Sequence, residues 1–195
     1  MALYIDDRRF TDFIHSHLAV PTVYSQIGWT QQNVDNQLLQ YADINHAIDY
    51  VFDCNGRRIT VQERFRDIKY QKYNDFTIRY RRDLNPNAGR VKSEYYKMAA
   101  DYFTYGITDC AKEQMESCRE FVKVAIIDMH KVYEKIDAGK IYVVDNRLNF
   151  SRIMGDCIEC PIKYNRDGSS SFFPIDIRFL VQLWGNEMVI FNKGF

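Results

Sequence analysis

The chain has 195 residues, 46% hydrophobic and 15% aromatic, with Lys plus Arg balanced against Asp plus Glu at 26 each. That size suits one domain able to bury about 70% of its extended surface, and the composition excludes a disordered chain. Zero formal net charge excludes a globally basic nucleic-acid binder, and the lack of an apolar run of about 18 residues excludes a bilayer-spanning helix.

Residues 6–18 carry Phe10, Phe13, Ile14 and His17 or Leu18 at helical spacing, and Pro21 is expected to end that helix. A second helix is expected over 30–40, capped by Thr30, with Val34, Leu38 and Leu39 inward. Residues 47–52 and 59–65 read as two strands, and the Asn55-Gly56 pair between them is a strong short-range hairpin signal. Asp53 opens that turn. After a loop over 67–74, residues 75–82 alternate Phe76, Ile78 and Tyr80 against polar neighbours, as a strand does.

Turn material follows over 83–89, then a short helix over 94–99 capped by Ser93, and an aromatic strand over 101–107. Residues 111–120 are polar. The continuous apolar run 121–127 reads as a strand buried on both faces, followed by a helix ending near Ile136. Strands are expected over 141–144, 156–164 and 188–191, with a loop over 166–171 and a helix over 174–184 that packs Ile177, Leu180, Val181 and Trp184 inward. The order implies one α/β domain, on the border with α+β, in which helices flank a central mixed β-sheet.

Five cysteines and an N-terminus without a basic and then apolar leader point to reduced thiols in a cytoplasmic protein. Cys157 and Cys160 form a lone CxxC with no second pair at zinc-site spacing, so both are expected as unligated thiols in a strand. Among the histidines, His46 is the one placed near a site. No P-loop, dinucleotide fingerprint or nucleophilic Ser motif is present.

The hairpin carries the unusual residues. Asp49 lies in an apolar strand and Gln62-Glu63-Arg64 interrupts the next. Charges buried mid-sheet cost several kcal/mol unless paired or metal-bound. A carboxylate and a second oxygen from neighbouring strands can hold Mg²⁺, and a cation two residues further along lies on the same face. After the hairpin, Arg64, Arg66, Lys69, Lys72, Arg79, Arg81, Arg82, Arg90 and Lys92 are interleaved with Tyr70, Tyr73, Tyr80, Tyr95 and Tyr96, a surface suited to phosphates and stacked bases or to solvated edge protection.

Over about residues 30–136, the lead-in 43–52, the strand 59–66, the stretch 99–107 and the run 121–128 resemble the PD-(D/E)xK phosphodiesterase superfamily of restriction and repair nucleases. The resemblance implies a restriction-endonuclease-like core, with residues 140–195 as a C-terminal extension of short strands and a helix. It further implies Mg²⁺ or Mn²⁺ at Asp49, Glu63 and Asp43, and catalysis by Asp49, Gln62, Glu63 and Arg64. Nucleic acid, DNA before RNA, would lie on Arg66, Lys69, Lys72, Arg79, Arg81 and Arg82, and a homodimer is open. Gln62-Glu63-Arg64 stands where the family has acid-x-Lys. By strand phase Gln62 and Arg64 share a face, and Glu63 points away unless a bulge re-aims it. That departure keeps a second expectation in view, a non-catalytic nucleic-acid-binding or inhibitory protein with a nuclease-like fold. A structural protein that assembles through its aromatic strands is a third.

Overall fold

The computed structural model describes residues 2–81, 93–145, 148–165 and 170–195, with side chains from residue 8 onward. It opens with α1 (Ala2–Ile14), which continues into a π-helical segment, His15–Tyr24. The expectation that Pro21 ends the helix is therefore corrected. An α-helical Pro clashes with the carbonyl four residues back, and the wider π winding gives it room. Burial of Leu18, Ala19, Val23 and Tyr24 holds the segment in place.

Next come β1 (Trp29–Gln31) and α2 (Asn36–His46). The helix expected over 30–40 begins later than its residues suggested, because Asp35 and not Thr30 caps it, accepting from the amides of Gln37 and Leu38. No residue of α2 is buried, and Leu38, expected inside, is exposed. The hairpin follows as β2 (Tyr50–Cys54) and β3 (Arg57–Arg66). Then come β4 (Asp75–Arg81), α3 (Glu94–Lys97), β5 (Tyr102–Thr108) and β6 (Phe121–Asp128). Ser93 stands before α3, but its hydroxyl donates to the Tyr80 carbonyl and does not cap.

Asp128 caps α4 (Met129–Asp137) by accepting from the Lys131 amide. The C-terminal third supplies β7 (Ile141–Val144), β8 (Arg152–Met154), β9 (Cys157–Pro161), β10 (Lys163–Tyr164), β11 (Ser171–Asp176), α5 (Ile177–Trp184) and β12 (Val189–Lys193). The helix expected over 174–184 starts at Ile177, since Pro174 belongs to β11 and Asp176 is the cap.

The six-stranded sheet is ordered β1-β2-β3-β5-β6-β12. β3 and β5 are parallel, and every other neighbouring pair is antiparallel. Two three-stranded sheets, β10-β11-β4 and β7-β9-β8, complete the architecture. β4 thus leaves the central sheet, a placement that its alternation could not reveal.

The central sheet is buried on both faces. Val124 and Ile126 of β6 pack with Phe10, Ile14, Leu18 and Tyr24 on one side. Ala125 and Ile127 pack with Phe76, Ile78, Phe173, Ile175 and Leu180 on the other. The period of two in a strand produces this division and bears out the doubly buried run. The described residues contain no helix long and apolar enough to cross a membrane.

Cys110 and Cys118 form a disulfide, with Cα atoms 5.1 Å apart, so the expectation of five reduced thiols is corrected for these two. Cys157 and Cys160 are free and lie in β9 as expected.

The pairing of β4 with β11 sets Asp75 directly opposite Asp176. Burial, then the neighbouring Asp176, pushes the Asp75 carboxyl up from 3.8 to about 6. A raised folded-state value means stability that is complete below pH 3.8 and lost as pH rises through 6. Asp75→Asn should therefore be more stable than wild type at pH 7, by about 1–3 kcal/mol, in urea unfolding. A variant less stable than wild type at pH 7 would contradict this assignment.

Candidate functional site

The hairpin turn uses Asn55 at φ 54° and Gly56 at φ 82°, the left-handed pair that a two-residue type I′ connection requires. Asp53 Oδ1 accepts from the Gly56 amide at 3.0 Å, its expected role. At the other end, α2 stops at Ala47, whose φ of 51° turns the chain back toward β3. Asp49, expected inside a strand over 47–52, instead falls just ahead of β2, because the α2 cap takes up Ala47; its amide donates to Val61 O at 2.9 Å.

The Asp49 carboxylate is buried against β3. Its Oδ2 accepts from Gln62 Nε2 at 2.7 Å and from the Glu63 amide at 2.9 Å, and its Oδ1 lies 3.3 Å from Arg8 Nη1. Arg8 also stands 3.0 Å from Asp12 and 3.9 Å from Asp43. One guanidinium from α1 therefore bridges three carboxylates. Burial pushes Asp49 up to about 7, and Asp43 adds to the push, while the Glu63 amide and Arg8 act against it.

Glu63 faces away from this corner, as strand phase predicts. Its carboxylate meets His15 Nδ1 at 2.9 and 3.0 Å and accepts from the Tyr24 hydroxyl at 2.5 Å, while the Thr104 hydroxyl, 2.8 Å away, donates to the Tyr24 oxygen. His15 stacks on Tyr50 with ring centroids 3.6 Å apart. In an α-helix the nine residues from His15 to Tyr24 make about two and a half turns, which would place them on opposite faces. The π winding brings both to one carboxylate. Burial opposes the charge on His15, but Glu63 outweighs it and the net shift is upward. Burial, then Glu63, keeps the Tyr24 hydroxyl protonated.

Arg64 shares the Gln62 face but reaches toward β4 and α3. It donates to the carbonyl and hydroxyl of Thr77 and forms an ion pair with Glu94. Glu94 is buried, which alone would raise its pKa, yet Arg64 and Arg79 hold it low. Thus Asp49 and Gln62 come together, whereas Glu63 and Arg64 each join separate networks. His46 is exposed and is not among the residues bonded to Asp49.

No family model, curated protein or solved structure matches this chain. The reading of the site therefore rests on its own chemistry.

Among the described residues, three His, Cys, Asp or Glu donors converge within 4.8 Å at Asp109, Cys110 and Cys118. The disulfide there removes both thiolates that a soft metal would need. Asp43, Asp49 and Glu63 do not form such a group. The Asp43 and Asp49 carboxylates both approach Arg8 Nη1, at 3.9 and 3.3 Å, and Gln62 Oε1 is a buried acceptor without a hydrogen-bond partner; oxygens are the donors that a hard cation prefers. At present the Arg8 guanidinium supplies the positive charge in that corner.

The basic residues divide as well. Lys69 pairs with Asp67 at 2.8 Å, Lys72 lies over Tyr73, Arg81 over Tyr80 and Arg66 over Tyr70. Arg82, Arg90 and Lys92 lie outside the described residues. Arg64, Arg66 and Arg79 line a cleft of about 840 Å³ between β3 and the β4–β11 sheet, whose walls include Tyr70, Tyr73, Phe150, Lys163 and Tyr164. Phe10 and Thr11 of α1 and Glu63 also line it.

Sequence reasoning missed Arg8, His15 and Tyr24. A signal for the first two existed: Arg8, Asp12 and His15 form a polar stripe at i, i+4 and i+7 on a helix expected to be core-facing. Tyr24 had no such signal, because its approach depends on the π segment.

Proposed function

We propose that this chain binds nucleic acid and hydrolyses phosphodiester bonds at the Asp49–Gln62 corner, on a restriction-endonuclease-like fold, with Mg²⁺ or Mn²⁺ as cofactor. The observation that carries this reading is the buried Asp49 carboxylate beside Gln62, whose Oε1 is a buried acceptor without a partner, on a hairpin whose β3 arm also carries Arg64 and Arg66 into a cationic, aromatic cleft. The sheet order supports it: an acid precedes one arm of a hairpin, the other arm carries the triplet, and the next strand in the sheet runs parallel to that arm.

Asp43, Asp49 and Gln62 would hold the cation, which would supply charge neutralisation at the scissile phosphate. Arg64, anchored on the cleft wall by Thr77 and Glu94, can place positive charge near a phosphate.

The position of Arg8 favours a second reading, a binding protein without hydrolysis, because an internal cation already neutralises the corner. The two are separated by incubating the chain with labelled single-stranded and duplex DNA and RNA, with and without Mg²⁺ or Mn²⁺. Metal-dependent fragments support hydrolysis. Binding without fragments under either metal supports the second reading and rejects the first. Because Arg8 and a divalent cation compete for the same oxygens, Mg²⁺ should raise the Tm of Arg8→Ala more than that of wild type. An equal shift in the two proteins would remove Arg8 from this role.

A further inference from the structure

The cleft between β3 and the β4–β11 sheet has chemistry that the acid corner does not explain. Its mouth exposes two large aromatic side chains, Phe150 at 62% and Tyr164 at 59%. Exposed aromatics gathered at a concave surface mark a binding site more often than scattered ones do. Tyr70 lies deeper, under the Arg66 guanidinium at 5.5 Å.

The cations are placed for an anion that threads the cleft. Arg66 holds its charge over a ring and not against a carboxylate. The Lys163 ammonium is held by neutral oxygens, the Leu148 carbonyl and Asn149 Oδ1. Arg79 and Arg64 both approach the buried Glu94. On the other side, Glu63 turns its carboxylate to His15, and Asp75 is the remaining acid of the lining.

We propose that this cleft is a binding site for single-stranded nucleic acid, with the backbone along Arg66, Arg79 and Lys163 and bases stacked on Phe150, Tyr164 and Tyr70. The proposal rests on the reading of the Asp49 corner as a nucleic-acid site and names the substrate class. Stacking is the deciding chemistry. A duplex hides its base faces, whereas a single strand offers them to aromatic side chains. At about 840 Å³ the cleft matches pockets that hold small ligands, which accommodates a few splayed nucleotides and not a helix. An acidic peptide would satisfy the cations but would leave the rings without partners.

The test is fluorescence anisotropy in EDTA, using the full chain, a labelled 12-mer single strand, its blunt duplex, and polyglutamate. The single strand should bind at least about tenfold tighter than the duplex. Phe150→Ala and Tyr164→Ala should each weaken it by about fivefold or more, and the affinity should fall steeply with salt. Both substitutions are at exposed positions, so unfolding will not mimic the loss. Equal or tighter binding of the duplex, no effect of either aromatic substitution, or polyglutamate binding as tight as the single strand would overturn the proposal. The two readings fail separately. Single-strand binding without metal-dependent fragments keeps the cleft and rejects hydrolysis, and duplex cleavage without single-strand preference does the reverse.

Discussion

Asp49→Asn should abolish metal-dependent cleavage, by at least about a hundredfold, and leave the fold intact. The asparagine is isosteric, and its oxygen can still accept from Gln62 Nε2 and the Glu63 amide. What it removes is the negative charge that faces Arg8 and that would face the cation. Stability separates this loss from simple unfolding. Asp49 titrates near 7 in the folded chain against 3.8 ordinarily, so its contribution is complete below pH 3.8 and declines as pH rises through 7. The variant escapes that decline, and at pH 8 its urea midpoint should not fall below that of wild type. Undiminished cleavage by Asp49→Asn would reject the site.

The largest stability effect should come from Glu63, on the face of β3 opposite Gln62. Glu63→Ala removes the shared partner of His15 and Tyr24 inside a buried network, a loss of about 3–5 kcal/mol. Glu63→Gln keeps the shape and removes the charge. His15 has a folded-state pKa above its ordinary 6.5, so the stability it adds is complete below 6.5 and is lost as pH rises through the raised value. In Glu63→Gln that pH dependence should flatten. Urea unfolding of the three proteins at pH 5.5 and pH 8 measures both effects. A cost under about 1 kcal/mol for Glu63→Ala would show that the network contributes little to holding α1 and the π segment against the sheet.

The sequence exposed what local chemistry decides. The Asn55-Gly56 turn, both hairpin arms, the doubly buried β6 and the face assignment of Gln62 against Glu63 all follow from period and turn residues over a few positions. The errors lie where tertiary packing outweighed local signals. Pro21 ordinarily ends a helix, but packing of Leu18 and Val23 carried the chain through it by widening the turn. Pro174 read as a helix start because Ile177, Leu180 and Trp184 follow it at helical spacing, although β11 pairs through it to β4. At the site, Asp49 and Gln62 were legible because the hairpin register brings them together. Arg8 was not, since nothing local shows that a helix over thirty residues away delivers its guanidinium there. The cleft walls Phe150, Lys163 and Tyr164 come from a region with short strands and weak signals, and only the folded chain brings them opposite Arg66.

The central claim is that the Asp49–Gln62 corner holds a divalent cation. Titrating Mn²⁺ into wild type and Asp49→Asn, with free ion read by electron paramagnetic resonance, tests it without relying on catalysis. The account predicts one saturable Mn²⁺ site in wild type that Mg²⁺ displaces and that Asp49→Asn loses. No saturable site in wild type, or a site of unchanged affinity in Asp49→Asn, would contradict it.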